Sequence, residues 1–213
     1  MPVTTIRLAE ARDLPHLAAI EDAGDRLFAE RFGALDWPSA STGEERAAEP
    51  GFLLVAAEDE SGVVGFAHVL DLQGHWHLEQ IAVDPAHGRR GIGGGLLRAV
   101  HAEVVRRGGA EVTLITFADV PWNAPFYARH GYVVLHDPPA HLRPFRDAER
   151  RMGLERHGRR VTMRWVTRAR NPAKHGFLAA APRVFWTTPC NTRTKGESHG
   201  YPYLGCMELS GER

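Results

Sequence analysis

Apolar and polar residues alternate over Thr4–Leu8, the two-residue period of a half-buried strand. Asp13-Leu14-Pro15 then has the form of a helix start, and Leu14, Leu17, Ile20, Leu27 and Phe28 recur at helical spacing behind it. Residues 32–49 read as a loop followed by a short helix. Two runs, Phe52–Glu58 and Val63–Leu70, read as strands joined by Asp59-Glu60-Ser61-Gly62, a polar turn of hairpin type. A third strand, His75–Val83, follows the Asp71–Gly74 turn. A helix over Gly91–Arg107 places Leu96, Leu97, Val100 and Val104 on one stripe and is closed by Gly108-Gly109, after which β-branched Glu111–Phe117 returns as a strand. Asn123–His130 is a short helix stopped by Gly131, Tyr132–Leu135 a strand, Pro144–Met152 a helix and Arg160–Thr167 the last strand. The order predicts a mixed α/β (α+β) domain, an antiparallel meander first and a parallel strand-helix-strand crossover after it.

Composition adds bounds to this picture. The chain has 213 residues, 43% apolar and 24% charged, enough for one domain with a core and a few dozen residues more, and this excludes disorder of the whole. No apolar run approaches the roughly 18 residues of a membrane span, and Met1–Asp25 carries acids where a secretory signal is basic and then apolar. A soluble, cytoplasmic protein without membrane attachment is expected. The 26 basic and 26 acidic residues cancel, so no net field draws the chain to nucleic acid. Cys190 and Cys206 are the only cysteines, which leaves the first 189 residues without a disulfide framework or a cysteine-ligated metal.

Near residue 169 the bias changes. Both lysines, Lys174 and Lys195, lie beyond it, as do both cysteines; residues 1–168 carry a net charge of −3 and residues 169–213 one of +3. With Pro172, Pro182, Pro189 and Pro202 and little periodicity, residues 169–213 read as a poorly ordered extension of a 1–168 domain, with a lid or an oligomer contact as the alternative use.

The segment Gln80–Leu97 carries the chemistry. A strand ending at Val83 runs through Asp84-Pro85-Ala86-His87 into Gly88-Arg89-Arg90-Gly91-Ile92-Gly93-Gly94-Gly95 and directly into an amphipathic helix. Glycines let successive N–H groups turn inward, a helix start leaves amides unpaired, and Arg89 and Arg90 add charge, so a pyrophosphate is the natural ligand. The other reading is a turn that packs a helix close to a sheet. No Gly-Lys-Ser/Thr follows, and the dinucleotide fingerprint is not matched. About 30 residues on, Pro121-Trp-Asn-Ala-Pro-Phe-Tyr-Ala-Arg-His-Gly-Tyr132 sets Tyr127 on a short helix that Asn123 is suited to cap. Tyr127 is open to a second reading, a buried tyrosine holding a hydrogen bond.

Together these residues resemble the GNAT superfamily of N-acetyltransferases, over about residues 3–168. Val83-Asp-Pro-Ala-His-Gly-Arg-Arg-Gly-Ile-Gly is similar to its coenzyme A pyrophosphate loop, and Asn123–Tyr132 to its Asn-x-x-x-Phe-Tyr-x-x-x-Gly-Tyr/Phe segment. The pattern departs at Gly88, where Gln or Arg is usual, and at Gly94 and Gly95, more often Arg and Ala; each of the last two costs the first turn up to roughly 1 kcal/mol relative to alanine. The resemblance implies a central sheet splayed at the cofactor site and flanked by helices. It implies acetyl-CoA as co-substrate, held by Ile81, Ala82, Val83, Gly88, Arg89, Arg90, Gly91, Ile92, Gly93, Gly94 and Asn123, the last with helix capping as an alternative role. Acetyl transfer to an amine would be direct, with an N–H near Ile81–Val83 at the oxyanion and Tyr127 as acid to the departing thiolate.

For the base, His75, His77 and Glu79 alternate with Trp76, Leu78 and Gln80 and so share one face of their strand. Glu79 is the first choice by resemblance and His77 the second; a solvated strand face is the plain alternative. A metal on His-x-His-x-Glu is disfavoured, because three ligands spread along roughly 13 Å of strand do not wrap a small cation, so no metal is expected. The acceptor, a small-molecule or peptide amine, would lie among residues 32–41 and 137–160, where Phe32, Trp37, His141, Phe145 and Arg150, Arg151, Arg156, Arg159 and Arg160 fall. Those arginines would suit an acidic-tailed amine, or form a solvated face with Asp147, Glu149 and Glu155. A monomer or homodimer with no nucleic-acid partner is expected. A non-catalytic acyl-CoA-binding regulatory module stands as the alternative function.

Overall fold

In the computed structural model, residues 3–33, 35–59 and 61–167 are described, and the expected 169–213 extension lies outside the described residues. Seven strands form one mixed sheet: β1 (Thr4–Leu8), β2 (Gly51–Glu58), β3 (Gly62–Leu72), β4 (His75–Val83), β5 (Glu111–Phe117), β6 (Val133–Val134) and β7 (Arg160–Val166). Their spatial order is β1-β2-β3-β4-β5-β7-β6, antiparallel except between β4 and β5. The helices are α1 (Leu17–Phe32), α2 (Gly43–Ala48), α3 (Ile92–Arg106), α4 (Ala124–Arg129) and α5 (Arg143–Arg151). No helix among the described residues is long and apolar enough to cross a membrane.

Alternation along β2 builds two cores at once. Phe52, Leu54 and Ala56 pack with Leu96, Leu97, Val100 and Val104 of α3, whereas Leu53 and Val55 meet Leu17 and Ile20 of α1 on the opposite face. A strand covered on both sides reads as a continuous apolar run, which is why the segment is apolar throughout. Each of the four α3 side chains is fully buried, contributing about 1.5–3 kcal/mol apiece.

Two local expectations shift. The helix foreseen from Asp13 begins as a 3₁₀ turn, Ala11–His16, and becomes α-helical only at Leu17. Pro15 lacks the N–H that an α-helical bond would need, and buried Asp13 is fixed by Arg7 and by the Glu10 N–H. The second shift lies in β4. Val69 opposes Leu78 while His68 opposes Gln80, so one residue, Glu79, is extra on β4 and the strand bulges there.

The parallel neighbours β4 and β5 share one registered pair among the described residues, His77 opposite Thr113. Toward the C-terminal ends of the two strands no further pair is registered among the described residues. This gap is the cleft around which the candidate site is built.

Candidate active site

On one side of the gap stands the loop entering α3. Asp84 caps a short 3₁₀ turn by accepting from the Ala86 N–H, and Gly91 takes the left-handed conformation, φ +80°, from which α3 starts. The first helical bond runs from the Gly95 N–H to Gly91 at 2.9 Å, which leaves the N–H groups of Ile92, Gly93 and Gly94 without helical acceptors. Gly94 also answers to packing, since a Cβ there would sit 2.8 Å from His130 Cε1.

Arg89 is exposed and in no ion pair among the described residues, as are Arg98 and Arg129. The Arg98 guanidinium folds back over the first turn of α3, 3.5 Å from where that Cβ would be. Burial, with the charges of Arg98 and Arg129, lowers the His130 pKa. Arg98, Arg129 and His130 were not singled out from sequence, because α3 and α4 meet only in the fold. Arg90, expected at the ligand, is turned away: its guanidinium holds Glu58 of β2 at 2.7 Å, and Thr4 and His87 hold the same carboxylate. It fastens the loop to the sheet.

The gap is lined by the end of β4. Asp84 donates to Val64 on β3 at 2.9 Å, so the alternation of an antiparallel ladder turns the N–H groups of Ile81 and Val83 away from β3 and into the gap, while Ala82 faces β3. An N–H near Ile81–Val83 is the expected oxyanion donor; that of Ile81 donates to Gln80 Oε1 at 2.9 Å, and Gln80 Nε2 donates to Glu21 Oε1 at 2.8 Å.

Across the gap, α1, α2, β3 and β4 converge on a buried charge network. Arg46 of α2 reaches both Glu21 of α1 and, at 2.7 Å, Glu79; His68 Nδ1 lies 3.1 Å from the same Glu79 oxygen. The side chains of Arg46, His68, Glu21 and Glu79 are 2%, 4%, 9% and 11% exposed, so the solvated strand face is not what forms. One guanidinium serves two carboxylates, and their proton affinities separate. Burial, opposed by Arg46 and reinforced by Glu79, pushes Glu21 up to about 7. At Glu79 burial acts upward too, but the hydrogen bond with His68 and the charge of Arg46 bring it down to about 2. A carboxylate held that low is a poor proton acceptor near neutrality, and Glu79, the first choice as base, is engaged by Arg46 and His68. His77 is buried, its Nδ1 2.9 Å from Thr113 Oγ1 and its ring against Phe145; burial lowers it to about 4, so it is neutral and weakly basic. His75 stacks on His141 with ring centroids 4.2 Å apart.

Sequence reading missed Glu21, Arg46 and His68. The signals were faint: Glu21 follows Leu17 by one helical turn and so falls on the buried stripe, and His68 interrupts an apolar strand.

Tyr127, on α4, packs edge-on to Phe126 and Tyr132. Burial raises its pKa, partly offset by Arg160, so the hydroxyl keeps its proton. Asn123 precedes α4 but makes no side-chain cap bond, so the capping role is not the one it performs. At the outer end of the gap Phe28, Phe32, Trp37, Phe117 and Trp122 form one aromatic cluster, with Trp122 40% exposed. Four of the five arginines expected to greet an acidic acceptor form ion pairs: Arg150 with Asp147, Arg156 with Asp36, Arg159 with Asp119 and Arg160 with Glu149.

The mixed sheet has one parallel pair, with an uncapped helix start suited to a phosphate-bearing ligand on one side of it and a buried acid on the other. Known proteins make this specific. The acetyltransferase (GNAT) domain family matches residues 50–134. The ribosomal-protein-S18-alanine N-acetyltransferase of Escherichia coli is 21% identical, with a TM-score of 0.52 over 81% of this chain and 100% of that one. The PaiA N-acetyltransferase of Thermoplasma acidophilum, solved in complex with coenzyme A, is 14% identical with a TM-score of 0.56, covering 78% and 99%. A GNAT-family acetyltransferase of Staphylococcus aureus Mu50 is 16% identical with a TM-score of 0.59, covering 77% and 99%. Residues 50–134 thus match an acetyltransferase (GNAT) domain, and the chain has the fold of these N-acetyltransferases.

Proposed function

We propose that this enzyme acetylates a primary amine by direct attack on acetyl-CoA, with Glu21 as the proton acceptor, the Ile81 N–H at the oxyanion and Tyr127 as the acid. The observation that carries the reading is the Gln80 side chain. It bridges Glu21 and the Ile81 N–H, and so sets an acid of near-neutral pKa one amide group from a backbone donor facing the gap.

The open amides of Ile92, Gly93 and Gly94, with Arg89, take the pyrophosphate, and the β4 edge from Ile81 to Val83 and the Asn123 side chain take the pantetheine arm. Gly88 and Gly91 shape the loop. An acceptor ammonium gives one proton to Glu21, and the free amine attacks the thioester carbonyl. The oxygen that gains charge is met by the Ile81 N–H, a fixed dipole needing no rearrangement of the backbone. As the C–S bond breaks, the thiolate takes the Tyr127 proton, and the nitrogen's second proton restores Tyr127 through water; one proton leaves per turnover. Glu79 holds Arg46 in place, and His77 completes the wall as a neutral ring. With four of the five arginines paired, the aromatic rim favours an amine bearing an apolar or aromatic group over an acidic-tailed one.

Titration calorimetry with acetyl-CoA, followed by thiol release against a panel of amines, tests the reading. The wild type should bind and release thiol, and Tyr127→Phe should bind equally while turnover falls about 10²- to 10⁴-fold. Absence of acetyl-CoA binding would overturn it, and binding without release for every amine would support the regulatory module instead.

A further inference from the structure

The bulge in β4 has an effect on Gln80 that plain alternation would forbid. In a regular strand Glu79 and Gln80 would point to opposite faces. With Glu79 as the extra residue, both reach the α1 and α2 side: Glu79 to Arg46, Gln80 to Glu21. The Gln80 amide is then held at both ends. Its nitrogen donates to the Glu21 carboxylate at 2.8 Å, and its oxygen accepts from the neighbouring Ile81 N–H at 2.9 Å. A bond from a side chain to the next residue's own N–H uses a donor the sheet leaves over, and it fills the position that a thioester carbonyl would need.

We propose that Gln80 is an acyl-sensing latch: the thioester carbonyl displaces its oxygen from the Ile81 N–H, the amide swings away, and Glu21 loses a hydrogen-bond donor just when an amine is to be deprotonated. The inference rests on the reading under Proposed function. Its physical content is a competition and a coupling. The competition is between two carbonyl oxygens, one of Gln80 and one of the thioester, for a single N–H. The coupling follows because a donor to a carboxylate favours the ionised form, and its removal raises the carboxylate's affinity for a proton. Coenzyme A without an acyl group has no carbonyl at this point and leaves the latch closed. Gln80 is therefore a positioning residue, acting through Glu21 and Ile81.

The test compares acetyl-CoA with free CoA, each titrated into the full-length wild type, Gln80→Met and Gln80→Ala. Methionine keeps the length of the side chain and alanine removes it, so the pair separates loss of the latch from loss of packing, and thermal melts report whether each variant is folded. The expected result is a Kd for acetyl-CoA lowered about 10-fold or more in both variants, because acyl binding then no longer breaks the Gln80 bonds to the Ile81 N–H and to the Glu21 carboxylate, with the Kd for CoA unchanged. An unchanged ratio of the two affinities, or an equal change in both, overturns the latch while leaving the acyltransferase reading intact. Failure of the wild type to bind either ligand overturns that reading, and the latch with it.

Discussion

Replacing Arg46 by methionine leaves Glu21 and Glu79 facing each other in a site where the arginine side chain is 2% exposed. Methionine fills much of the stem's volume against Phe66, whose ring centre lies 5.3 Å from the guanidinium carbon, so the change is chiefly one of charge. Removing one partner of a buried ion pair costs about 3–5 kcal/mol, because the remaining charge has neither water nor a counter-ion. Here two carboxylates lose the same partner, so the upper half of that range applies at pH 8. For a domain of this size each kcal/mol moves Tm by roughly 2–4 °C, a fall of roughly 8–20 °C. The pH dependence has a definite sign. Without Arg46 the folded-state pKa of both carboxylates lies above the unfolded value, so between the two values the folded state binds more protons and its stability falls as pH rises. Urea denaturation of Arg46→Met at pH 5.5 and pH 8 should therefore show the smaller deficit at pH 5.5. A loss under about 1 kcal/mol at pH 8, or a deficit that does not grow from pH 5.5 to 8, would refute the buried network as the organiser of this site.

Two further outcomes bear on the chemistry and the loop. With Glu21 as base, kcat/KM at saturating acetyl-CoA should rise with pH through about 7, and Glu21→Gln should lower the rate and abolish that limb; a limb persisting in the variant assigns the base elsewhere. Gly91→Ala meets no atom within 4 Å, and the residue sits at φ +80°, so its cost is backbone strain alone. That cost is about 1–2 kcal/mol, to be read as a Tm loss with weakened CoA affinity; an unchanged Tm would show that the loop relaxes.

Elements whose signals are local were legible in order and extent. The hairpin at residues 59–62, the glycine-closed helix before β5 and the strand-loop-helix at Val83–Leu97 each rest on turn chemistry and periodicity that act within a few residues. The same holds for Tyr127 on a short helix begun by a proline. What stayed hidden depends on partners far apart in sequence. Arg46 meets Glu21 across 25 residues and Glu79 across 33, and Gln80 meets Glu21 across 59. No periodicity links such positions, and which carboxylate keeps a proton depends on how one guanidinium is shared between them.

From its sequence alone this chain determines a meander, a crossover and a helix start open to phosphate, because backbone geometry and apolar spacing decide those locally. Only the tertiary structure decided that a single extra residue in β4 would send Gln80 to Glu21, that Arg90 would pair with Glu58 of β2, and that the proton affinity of Glu21 would rise while that of Glu79 falls. A bulge is an event of pairing between strands, and a buried charge takes its proton affinity from everything packed around it.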